Sequence, residues 1–88
     1  MLKVFKYPIS PADYFEIEMP ENSQILRIDE QSDLPCLWAL VNPSNPKKLY
    51  RFRMAGTGHP INENETLEFI NTFFMAQGAL VFHVFRVL

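Results

Sequence analysis

The chain has 88 residues, 48% of them hydrophobic and 20% charged, which leaves room for one compact domain over residues 1–88 and excludes a cofactor domain beside a substrate domain. Eight Lys plus Arg against ten Asp plus Glu give a formal charge of −2, without the basic excess of a protein that lives on duplex nucleic acid. The single cysteine, Cys36, cannot close an internal disulfide, and no apolar run reaches the about 18 residues of a membrane span. The N-terminus shows no signal-peptide pattern. The expected setting is therefore cytoplasmic, away from membranes.

Taken in order, the chain is a series of short apolar runs cut by turn signals. Pro8 to Pro11 ends the first run, Pro20 to Ser23 the second, and Gln31-Ser32-Asp33 the third. In Leu26-Arg27-Ile28-Asp29 the apolar and charged residues alternate, as on a half-buried strand. Leu37 to Val41 is apolar on both faces, which fits a central strand or one with a second layer over it. Asn42-Pro43-Ser44-Asn45-Pro46 is the clearest loop, because two prolines remove backbone donors and fix φ.

Tyr50 to Met54 alternates again and sets Arg51 and Arg53 on the face opposite Tyr50 and Phe52. Gly56 to Asn64 is the longest break. Residues 64–70 could open a helix, but Thr, Phe and Ile favour a strand. The C-terminal third reads as a hairpin about Gln77-Gly78, with Phe74 opposite Val81 and Phe73 opposite Phe82. Trp38 and Phe82 sit in the most apolar runs and are expected in the core. The run Ala79–Leu88, apolar on both faces, must lie between two strands or be covered by a second copy in a homodimer. The fold expected is all-β, a small sandwich or partly open barrel of six or seven strands.

Candidate chemistry is sparse. His59 lies in the Gly-Thr-Gly-His-Pro loop, where sites often sit, although a turn histidine packed on a neighbour explains it as simply. Lys47, Lys48, Arg51 and Arg53 form the one basic cluster; it could meet an acidic partner or single-stranded nucleic acid, and its ordinary reading is a solvated charged face. His59, Arg51, Arg53, Lys47 and Lys48 are thus the candidate binding residues. Two histidines and one cysteine at unrelated spacings make no zinc motif. Gly56-Thr57-Gly58 lacks the Lys-Ser/Thr of a phosphate loop. Neither a paired carboxylate nor a Cys36–His pair has local support, and Cys36 reads as a buried thiol. No cofactor, metal or catalytic residue is expected.

Three segments carry a resemblance: Leu34-Pro35-Cys36-Leu37-Trp38-Ala39-Leu40-Val41, Tyr50 through Gly56-Thr57-Gly58-His59-Pro60-Ile61, and Gly78-Ala79-Leu80-Val81-Phe82-His83-Val84-Phe85. Together with the opening Val4-Phe5-Lys6-Tyr7-Pro8 they resemble a family of small proteins encoded by bacteriophages and prophages, which has no assigned reaction. The resemblance implies a phage or prophage origin. By analogy with small phage proteins, the expected function is non-enzymatic binding of a host or phage macromolecule, such as a component of a host defence system. The rivals are a protein that binds or sequesters a small ligand such as a nucleotide, and a virion accessory protein.

Overall fold

The computed structural model describes residues 1–88 as seven antiparallel strands: β1 (Lys3–Pro8), β2 (Tyr14–Pro20), β3 (Gln24–Gln31), β4 (Leu34–Val41), β5 (Lys47–Gly56), β6 (Leu67–Met75) and β7 (Leu80–Val87). They form a three-stranded sheet in the order β1-β4-β3 and a four-stranded sheet in the order β2-β5-β7-β6. The sheets pack as an open sandwich and do not close into a barrel. The strand breaks fall where the prolines and polar clusters stand, and residues 67–70 are strand rather than helix.

Alternation decides what each strand buries. Leu37, Ala39 and Val41 of β4 face inward and are wholly buried, beside Ile28 of β3. From the other sheet come Met19, Phe52, Met54, Phe73 and Val84. Phe15 stacks on Phe52 with ring centroids 4.9 Å apart. Trp38 therefore turns outward and is only half-buried, which corrects the expectation that it belongs to the core. Phe82 packs against the core from its margin. Cys36 is buried, as expected of a structural thiol.

Leu26 departs from the simple pattern. A bulge between Ile25 and Arg27 shifts the register with β4, so Ile25 and Ile28 point inward and Leu26 is left 47% exposed. A second bulge lies between Phe69 and Asn71 of β6. The two bulged strands meet where the sheets come together, and Asn71 bridges them through the backbone of Ile28.

The C-terminal hairpin has the expected register, Phe73 opposite Phe82 and Phe74 opposite Val81. Its turn is less ordinary: Ala76, Gln77 and Gly78 all have positive φ. β7 lies between β5 and β6, so its backbone is paired on both sides. The case for dimer formation through a free β7 edge disappears with that placement.

Candidate functional site

The basic cluster does not converge. Lys47 and Arg51 stand on the outer face of β5, and Lys48 is on the inner side, with its Nζ 5.8 Å from the Tyr50 ring centre. Arg86 covers the same ring at 4.6 Å. Arg51 lies 4.7 Å from the ring centre of Tyr14 on β2. Arg53 shares the outer face with Arg51 but is only 6% exposed. Its guanidinium donates to the carbonyls of Asp13 (3.2 Å), Pro60 (3.0 Å) and Met54. A solvated face thus describes Arg51 and not Arg53, because a crossing segment covers the second arginine.

That segment, residues 57–66, joins β5 to β6 across the outer face of the four-stranded sheet. Pro60 is held by Arg53, Glu65 accepts a hydrogen bond from the Tyr14 hydroxyl, and the Thr66 carbonyl accepts one from the Leu88 N–H at 2.9 Å. Ala55 beneath it is only 2% exposed. The bond to Glu65, then burial, raise the Tyr14 pKa above its ordinary value, against the opposing pull of Arg53 and Arg51.

His59 is exposed, and its ring lies against Gly56, where a Cβ would come within 3.1 Å of Cε1. It lines an open hollow of about 260 Å³ together with Gly56, Thr57 and residues 79–82. His83 stands beside this hollow on the outer face. Thr57 Oγ1 is 2.8 Å from its Nε2, and Thr72 Oγ1 is 2.8 Å from its Nδ1. Hydroxyls both donate and accept, so the pair holds either tautomer. The contact bolts the start of the crossing segment to β6 and β7. A hydroxyl orients the ring but brings no negative charge, unlike the carboxylate of a Ser-His-Asp triad. No three His, Cys, Asp or Glu side chains cluster as metal ligands.

Beside the crossing segment the outer face changes character. The register pairs Leu67 with Val87, Phe69 with Phe85, Thr72 with His83 and Phe74 with Val81. The side chains of these eight residues lie opposite the buried Phe73 and Val84. None is a carboxylate, lysine or arginine. Phe69 is 57% exposed and Phe74 59%, and Phe69 meets Phe85 edge-on at 5.6 Å. This uncharged aromatic face is absent from the residues singled out by sequence. It could have been found there, because the hairpin register already pairs uncharged residues at 72/83 and 74/81; the bulge at residue 70 hides its continuation to Phe69.

A protein-family model, Domain of unknown function (DUF7352), matches residues 1–88. The chain belongs to the DUF7352 family. That description assigns no activity. No curated protein and no solved structure matches the chain.

Proposed function

We propose that this DUF7352 protein is a non-enzymatic binding protein that modulates a host or phage macromolecule, with a protein as its partner. The observation that carries the proposal is the uncharged β6–β7 face. Large aromatic groups are enriched and charge is depleted at the centres of protein interfaces. Phage origin and action in the bacterial cytoplasm, including interference with host defence, rest on the family resemblance. No helix is long and apolar enough to cross a membrane.

Sequestration of a small ligand has less support. The hollow at His59 is open and falls below the roughly 300–1,000 Å³ of most ligand sites. Neither Arg51 nor Arg53 lines it. The test is cross-linking in phage-infected cells with the parent and with Phe74→Asp, a substitution at an exposed position. Capture of a discrete protein by the parent and its loss in Phe74→Asp are expected. Equal capture by both removes the face from the function.

A further inference from the structure

Resting on the binding role proposed for the β6–β7 face, we infer that this face also takes a second copy of the chain, packed sheet on sheet about a two-fold axis through the Thr72–His83 pair.

The strand edges are the usual route to self-association, and here they are guarded. β1 carries Lys3, Lys6 and Pro8 along its edge, and β2 carries Glu16, Glu18 and Pro20. Charge and proline at such positions discourage strand addition. β6 is turned toward β3 by the Asn71 bridge. The unguarded surface is the face.

Its symmetry favours a copy of itself. The Phe69–Phe85 row and the Phe74–Val81 row lie on opposite sides of the Thr72–His83 row. A two-fold axis along the middle row sets the Phe69–Phe85 row of each copy over the Phe74–Val81 row of its mate and brings the two Thr72 side chains together. Such an isologous contact needs a self-complementary patch. A face without carboxylates, lysines or arginines meets no like-charge repulsion when doubled, and it offers no ion pair to a charged partner.

The area sets the strength. A phenylalanine can bury on the order of 150–250 Å², so the outward parts of Phe69 and Phe74 supply roughly 100 Å² each. The partly exposed Leu67, Val81, Phe85 and Val87, with Ile61 of the crossing segment 40% exposed, bring the contact to roughly 400–500 Å² per copy. Over both copies that is roughly 800–1,000 Å², at or just under the about 1,000 Å² of a stable specific interface, which corresponds to a weak dimer that forms only with rising concentration.

Light scattering from about 1 to about 500 micromolar, the range suited to a weak interface of this size, tests the inference on the parent, Thr72→Glu and Thr72→Lys. Thr72 is exposed and gives up only its hydrogen bond to His83 Nδ1, while Thr57 keeps the other ring nitrogen, so both variants should fold and melt somewhat below the parent. The parent mass should climb toward twice 10.3 kDa, each variant alone should stay at the single-chain mass, and an equimolar mixture of the two should recover the dimer. Recovery in the mixture requires the two Thr72 positions to face each other. A parent that stays monomeric throughout, or variants that dimerise as it does, overturns the inference. A monomeric parent whose cross-linked partner is still lost in Phe74→Asp leaves the binding function standing without the dimer. A dimer of the expected kind with no partner dependent on Phe74 does the reverse.

Discussion

The Asn71 side chain serves the backbone of Ile28 as a neighbouring strand would. Its Oδ1 accepts from the Ile28 N–H at 2.8 Å and its Nδ2 donates to the Ile28 carbonyl at 2.7 Å. Ile28 lies on the edge strand β3, where these two groups have no strand beyond them. One amide thus joins the two sheets at the margin of the core.

Asn71→Ala should therefore lower stability by about 2–3 kcal/mol, the loss of two hydrogen bonds and the stranding of partly buried backbone groups. Urea unfolding measures it. A change within about 0.5 kcal/mol, typical of ordinary surface substitutions, would show that water replaces the amide without cost.

Arg51 and Arg53 stand two residues apart on one strand and should behave differently. Arg53→Ala removes a buried guanidinium from three carbonyls and the crossing segment from its anchor, at about 2–4 kcal/mol. Arg51→Ala loses only an exposed cation–π contact with Tyr14, about 0.5–1 kcal/mol. Arg53→Lys should recover little, because an ammonium lacks the planar fork that reaches both Asp13 and Pro60. Equal effects at the two positions would count against the buried clamp.

Gln77 holds φ at 57° in the β6–β7 turn. An L-residue other than glycine or asparagine gives up about 1–2 kcal/mol in the left-handed region. Gln77→Gly should raise stability by about 0.5–1 kcal/mol, partly offset by the greater freedom of glycine in the unfolded chain. For a domain of this size that is a rise of roughly 2–8 °C in Tm. Calorimetry showing a fall instead would mean the Gln77 side chain stabilises the turn.

The hydroxyl of Tyr14 bonds Glu65, and burial together with Tyr50 acts on Tyr7; both phenols are raised above their ordinary pKa. The folded chain then holds these protons more tightly than the unfolded chain. Their contribution is fully present below the unfolded phenol pKa of about 10 and is lost as pH rises through the folded values. Stability should fall in alkali, and Tyr14→Phe should flatten part of that fall relative to the parent. Unfolding curves from neutral pH to about pH 11, just above the ordinary phenol range, give the comparison. Parallel curves for parent and variant would detach Tyr14 from the loss.

The sequence by itself determined the all-β class, the positions of the breaks and the register of the last hairpin. These follow from local chemistry: proline and polar clusters stop strands, and an alternating run fixes which residues share a face. Phe73 opposite Phe82 and the separation of Tyr50 and Phe52 from the arginines are of this kind. Tertiary structure decided which faces receive a second layer. Trp38 and Leu37 are neighbours in one apolar run, yet Leu37 faces the other sheet and Trp38 faces out. Arg53 is buried by a segment that begins four residues later in sequence, and nothing in its own strand announces that cover. Asn71 acquires its role from a β3 backbone more than forty residues away, which only the packing of the two sheets brings alongside. Periodicity reports how side chains alternate along a strand; what lies above each face depends on contacts between segments distant in the chain.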